Sequence, residues 1–141
     1  MIDTQKKTFE KIMYSVFKRT IEMDFSWNWS GGVAFYGFVR AWEVTGNPEY
    51  IEYLKGWVDD YVEEGLPEFT INAVAIGYTL LALYDYTGDE KYMDLAKLQA
   101  EYLSDKAIRF GEGVFQHTVS EKNYNFSEQA WADTLFMAGL F

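Results

Sequence analysis

No cysteine occurs in the 141 residues, which excludes disulfides and thiolate metal sites. A single histidine, His117, leaves too few imidazoles for a His-based zinc centre within one chain, so neither metal nor cofactor is expected. Prolines number only two and the charged fraction is 24%, which fits an ordered helical protein rather than a disordered one. Basic residues are scarce: 12 Lys and Arg stand against 22 Asp and Glu, and the net charge of −10 argues against a nucleic-acid partner, which needs a basic face. No apolar run reaches the roughly 20 residues of a membrane span. The opening residues Met1 to Lys7 carry no apolar signal core, so a cytoplasmic protein without a membrane partner is expected.

What the chain does have is rings, with five Trp, eleven Tyr and eleven Phe making up 19% of it. That many aromatics fill a core or line a groove. Helical periodicity dominates, and it predicts helices over residues 4–23, 32–45, 48–64, 73–87, 90–106 and 128–141. Thr45-Gly46-Asn47-Pro48 places Gly after one helix and Pro at the start of the next. Thr87-Gly88-Asp89-Glu90 does the same without Pro, and Gly65-Leu66-Pro67 closes the third helix.

An internal repeat runs at an offset of 42 residues: Tyr36 matches Tyr78, Trp42 matches Tyr84, Thr45-Gly46 matches Thr87-Gly88, and Tyr50 matches Tyr92. The first helix of each unit is nearly free of charge, over 33–39 and 71–84. The second alternates charge and ring, as in Glu49-Tyr50-Ile51-Glu52-Tyr53-Leu54-Lys55. A helix apolar all round is buried on all sides, whereas one with a single apolar stripe lies outside. The repeat therefore describes inner helices paired with outer ones, at a period longer than the tetratricopeptide unit of about 34 residues. Residues 107–126 break this rhythm with Gly111, Gly113, Asn123 and Asn125, and read as an irregular loop with a short hairpin.

If the inner helices all run in one direction, their starts share one rim. That rim gathers Trp27, Trp29, Asn72, Trp131 and Asp133, with His117 from the loop. Rings for stacking, an amide, an imidazole and one carboxylate form the composition of a carbohydrate subsite. Each residue also has a plainer reading. Trp27 and Trp29 fit core or staple positions, Asn72 an N-cap, His117 a loop histidine with its own partner, and Asp133 a first-turn acid favoured by the helix dipole. Tyr36 and Tyr78 fit inter-helix packing better than ligand contact. Asp133 is the best candidate for a working residue, because a lone carboxylate in an apolar run must be paired, solvated or used.

The segments Trp27-Asn28-Trp29-Ser30-Gly31-Gly32-Val33 with Tyr36-Gly37, Gly113-Val114-Phe115-Gln116-His117, and Trp131-Ala132-Asp133-Thr134-Leu135-Phe136-Met137 resemble the unsaturated rhamnogalacturonyl hydrolases of glycoside hydrolase family 105. The unsaturated glucuronyl hydrolases of family 88 are a more distant match. The resemblance implies an all-α fold, an (α/α)6 toroid of inner–outer hairpins. It implies removal of a terminal unsaturated uronic acid from pectin-derived or similar oligosaccharides by hydration of the C4=C5 double bond. An acid protonates C4, water adds at C5, and the hemiketal opens to release the aglycone. On this resemblance Asp133 matches the catalytic aspartate, His117 a substrate-contacting histidine and Trp131 a ring of the pocket. Trp27, Trp29, Tyr36 and Asn72 complete the expected substrate contacts. Asn72 stands where the family commonly carries a second aspartate, and an amide cannot carry a proton at neutral pH.

Several expectations follow from the residues and the resemblance together. The chain breaks off in an apolar pattern at Phe141, and supplies fewer than three of six hairpins, so it reads as one domain, the N-terminal portion of a truncated barrel. Its open apolar flank along residues 128–141 should favour self-association. A helix N-terminus favours a charged Asp133 while burial against Trp131 and Phe136 favours the neutral acid, and burial is expected to prevail. Arg40 and Arg109 are the candidate partners for an anionic substrate. The alternative is a non-catalytic helical repeat module that binds a glycan or peptide on an aromatic concave face.

Overall fold

A computed structural model describes residues 2–119 and 126–141. Helix α1 (Ile2–Thr20) leads to α2 (Trp29–Thr45) and α3 (Glu49–Glu64). A 3-10 turn, Ala73–Ile76, runs straight into α4 (Gly77–Thr87), and α5 (Glu90–Glu101) continues as a π turn over Tyr102–Lys106. Two short strands, β1 (Arg109–Phe110) and β2 (Val114–Phe115), form an antiparallel hairpin with Arg109 opposite Phe115. A single helical turn, α6 (Thr134–Met137), follows.

The repeat read from the sequence is reproduced bond by bond. Gly46 and Gly88 sit in the left-handed region at φ 71° and 69°, a conformation that glycine adopts without a Cβ penalty. Their N–H groups donate to Trp42 O and Tyr84 O, both at 2.7 Å. Thr45 and Thr87 hydroxyls donate to the carbonyls of Ala41 and Leu83, and accept from the N–H groups of Asn47 and Asp89. The next helix in each unit is capped alike, with Asn47 Oδ1 accepting from Glu49 N–H and Asp89 Oδ1 from Lys91 N–H. Tyr50 and Tyr92 then enter the core at equivalent depths.

The hydrophobic pattern decides the layering. The 3-10 turn is buried throughout and α4 has no exposed residue before Asp85, with Ala73, Val74, Ile76, Leu80 and Leu83 inaccessible. On α3 only the Tyr50, Ile51, Leu54 and Val58 stripe is buried, and this stripe faces α2 and α4. Helix α2 crosses the 3-10 turn closely: a Cβ at Gly32 would come within 2.8 Å of the Ala75 carbonyl oxygen. Helix α1 packs on α2 through Phe17, whose ring meets Phe38 and Tyr50 edge-on at 4.8 and 4.7 Å. Such pairs contribute about 0.5–1.5 kcal/mol each beyond the area they bury.

Three expectations about elements need correction. The helix expected over 128–141 is one turn, because its first residues are held elsewhere: Glu128 lies at φ 54°, its N–H donates to Gln116 Oε1, and the Gln129 carbonyl accepts from His117 N–H. Helix α2 starts three residues earlier than expected, at Trp29, where Asn28 Oδ1 caps the Trp29 N–H at 2.7 Å. The 90–106 helix widens into a π turn at Tyr102. The hairpin expected within 107–126 is present, whereas Asn123 and Asn125 lie outside the described residues.

Candidate active site

The residues 116–118 leave the hairpin and run between two anchors. On one side Gln116 Oε1 accepts from Glu128 N–H at 2.9 Å, and His117 N–H donates to Gln129 O at 2.8 Å. On the other, Thr118 Oγ1 accepts from Ile71 N–H at 2.9 Å and Thr118 O accepts from Asn72 N–H at 3.3 Å. Asn72 is thereby fastened beside the segment that carries His117, at the entry to the second inner helix. The turn α6 packs on that same 3-10 entry, which brings Asp133 and Thr134 to the same corner.

Within this corner the histidine and tryptophan are stacked. The His117 and Trp131 rings lie 4.1 Å apart and 5° from parallel, and the Phe126 ring closes against both at 5.2 and 4.8 Å. His117 is 2% exposed and Trp131 42% exposed, so the indole has one face on the imidazole and another towards solvent. Trp131 Nε1 donates to Gln129 Oε1 at 3.2 Å, which fixes the indole's orientation. Burial pushes the imidazole below its ordinary range, while the Asp133 carboxylate acts in the opposite sense. Among the described residues, three buried polar atoms here have no hydrogen-bond partner: His117 Nδ1, Asn72 Oδ1 and Thr134 Oγ1. Buried polar groups are ordinarily satisfied, so these three atoms are the ones in this corner left open to a polar partner.

Asp133 stands directly before α6, and its carbonyl accepts from Phe136 and Met137 N–H at 2.8 and 3.0 Å. Its side chain makes no capping bond and is exposed, so the expected burial against Trp131 and Phe136 is absent. Asn72 is 4% exposed and its side chain caps nothing.

The other sequence candidates are placed elsewhere. Trp27 is 2% exposed and stacks on Trp57 at 5.6 Å within the main core, so it cannot reach a sugar from the rim. Trp29, 50% exposed, opens onto a groove of about 650 Å³ between α1 and α2. Tyr36 meets Tyr78 at 5.0 Å and Phe136 at 5.7 Å, bridging α2, α4 and α6. Arg109 is committed to the hairpin: it donates to Gly113 O and Leu103 O and lies over the Phe115 ring. Arg40 pairs with Glu43. Sequence reasoning missed Phe126, Gln116, Thr118 and Thr134. Of these only Thr134 carried a signal, as the polar neighbour of Asp133 in an apolar turn.

Comparison with known proteins agrees with this picture. The model of the Glycosyl Hydrolase Family 88 matches residues 1–141. The unsaturated rhamnogalacturonyl hydrolase YesR of Bacillus subtilis (strain 168) is 55% identical over 141 residues, which is 100% of this chain and 40% of YesR. The chain thus spans about two fifths of the length of that relative. Two crystal structures superpose well. One, described as a possible member of the GH105 family from Klebsiella pneumoniae, gives a TM-score of 0.73 at 30% identity, over 79% of this chain and 29% of that one. The other, similarly described, from Salmonella enterica, gives 0.75 at 29% identity, over 82% and 30%. The helical fold is therefore that of GH105-type proteins.

Proposed function

The chain belongs to Glycosyl Hydrolase Family 88, and from that membership we propose that it carries the acid-bearing part of a hydrolase for terminal unsaturated uronic acids on pectin-derived or similar oligosaccharides. The single observation that carries this reading is the stack of Trp131 on His117 with Asp133 as its charged neighbour. In the proposed complex the sugar lies on the free face of Trp131. His117 Nδ1, Asn72 Oδ1 and Thr134 Oγ1 meet polar groups of the ligand. Asp133 delivers a proton to C4 of the C4=C5 double bond while water adds at C5 and returns a proton to the carboxylate, and the hemiketal opens, its hydroxyl proton passing to the oxygen of the departing aglycone. We place these residues in the N-terminal portion of an (α/α)6 toroid whose remaining hairpins complete the substrate cleft. The open flanks of this portion are expected to associate.

The test is loss of the ultraviolet absorbance of the conjugated uronate, using lyase-generated unsaturated disaccharides. Asp133→Asn should lower kcat at least ~100-fold, the scale of a lost acid–base group, without lowering the melting temperature. Undiminished turnover by that variant refutes the assignment. Disaccharide binding without any turnover by the unaltered chain would favour the glycan-binding module instead.

A further inference from the structure

We propose that Thr118 is a positioning residue: it locks the segment bearing His117 to the entry of the second inner helix and so sets the spacing between His117 and Asn72. The inference rests on the proposed function, since it concerns how the same site holds its sugar. Among the described residues, the bonds that tie residues 116–118 to residues 70–72 are both made by Thr118. Its buried hydroxyl accepts from Ile71 N–H at 2.9 Å, and its carbonyl accepts from Asn72 N–H at 3.3 Å. The π turn brings the Tyr102 hydroxyl to 3.5 Å from the same Oγ1. A threonine hydroxyl has one donor and two acceptor sites, so it can accept from Ile71 and still bond Tyr102 in either sense.

The asymmetry of the fastenings gives the residue its role. His117, Gln116 and the segment leading to Trp131 are bonded to one another through Glu128 and Gln129. Asn72 belongs to the helix entry. Without the Thr118 hydroxyl the Ile71 N–H is left buried and unpaired, and the contact of the two halves loosens. The packing of Met137 on Ile71 and Ala75 keeps the halves together, but Asn72 loses its fixed spacing from His117. The loss should fall on binding and leave the chemical step largely alone.

The experiment compares Thr118→Val, which keeps the shape and removes the hydroxyl, with Thr118→Ser, which keeps it. With unsaturated disaccharide, Thr118→Val should raise KM roughly tenfold with kcat held within about twofold, and Thr118→Ser should restore KM. Because the chain has one histidine, its proton NMR titration reads His117 alone. That midpoint should move up towards the ordinary imidazole range in the valine variant as water reaches the ring, and stay put in the serine variant. A valine variant with unaltered KM and titration overturns the proposal, as does a serine variant as impaired as valine. A protein that carries the remaining hairpins and still turns over no disaccharide defeats the hydrolase reading, while the titration still decides the role of Thr118. Should the valine variant not fold, amide exchange in the unaltered chain decides: strong protection of Ile71 and Asn72 supports the lock, and fast exchange overturns it.

Discussion

Replacing Gly32 by alanine gives the sharpest test of how the inner helices meet. A Cβ there would stand 2.8 Å from the Ala75 carbonyl oxygen and 2.9 Å from its carbonyl carbon, and closer still to its β-carbon. These are largely backbone atoms of the 3-10 turn, which cannot rotate aside. Overpacking of this kind costs about 1–3 kcal/mol, against which a glycine-to-alanine change in a helix returns up to ~1 kcal/mol. The net loss should be about 1–2 kcal/mol. The same helix supplies its own control, because a Cβ at Gly37 meets nothing within 4 Å. Gly37→Ala should therefore stabilise by about 0.5–1 kcal/mol through backbone entropy. With an unfolding entropy near 2.1 cal/mol/K per residue, 1 kcal/mol corresponds to about 3 °C in a chain of this size. Calorimetry should show Gly32→Ala melting about 3–6 °C lower and Gly37→Ala about 2–3 °C higher. Two variants shifted equally, or Gly32→Ala the more stable, would refute the close crossing of α2 over residues 73–76.

The outer helices offer a second measurement. Burial tends to raise the Asp59 carboxyl, but bonds from Lys55, Lys91 and the Tyr92 hydroxyl prevail and hold it down to about 2. A depressed carboxylate stabilises the fold fully above its unfolded value near 3.8, and that share is lost as pH falls through about 2. Allowing for solvent screening it is about 1–2 kcal/mol, and urea titrations of Asp59→Asn against the parent at pH 2 and pH 6 should differ by that amount only at the higher pH. His117 is depressed by burial, so the neutral ring stabilises above its unfolded value and the contribution fades as pH falls through the lower folded one. His117→Gln should flatten the melting-temperature profile below about pH 6.5, and an unchanged acid limb would contradict the burial argument. On the flank 128–141, Leu135 and Leu140 are exposed; changing both to lysine should lower the mass seen by light scattering without lowering the melting temperature, and an unaltered mass would exclude that flank from association.

The turns of the repeat were legible because Thr, Gly and Asn or Asp act there through local bonds, within a few residues of themselves. Thr45 and Thr87 each bond four residues back and two forward, so the pattern in the sequence is the whole mechanism. The stretch after Ser127 was illegible for the opposite reason. Gln129-Ala130-Trp131-Ala132 has ample helix propensity, yet its backbone is claimed by His117 and Gln116, twelve residues or so upstream, and tertiary bonds override propensity. Trp27 and Trp29 show the same limit. Two residues apart and chemically alike, one finds Trp57 and Tyr61 in the core and the other opens α2 on its flank. The grouping of Trp131, His117 and Asp133 was foreseen from the residues and the resemblance, whereas Thr118, which fastens that group to Asn72, looked like any other loop threonine.

The gradient of burial across the site bears on the kind of chemistry that fits it. His117 is enclosed, Trp131 is half open and Asp133 is exposed. A hydrolase that breaks a glycosidic bond directly needs two carboxyl groups facing each other across the sugar, about 5–9.5 Å apart. Under the proposed function a single acid serves, because water adds to a double bond and no glycosidic bond is attacked directly. The two arginines considered for this role are already engaged, Arg109 by the Gly113 and Leu103 carbonyls and Arg40 by Glu43. If the proposed function holds, this part of the site grips the sugar through neutral groups, the His117 ring, the Asn72 amide and the Thr134 hydroxyl. Cationic compensation for the uronate must then come from hairpins beyond those described, as the proposed toroid supplies.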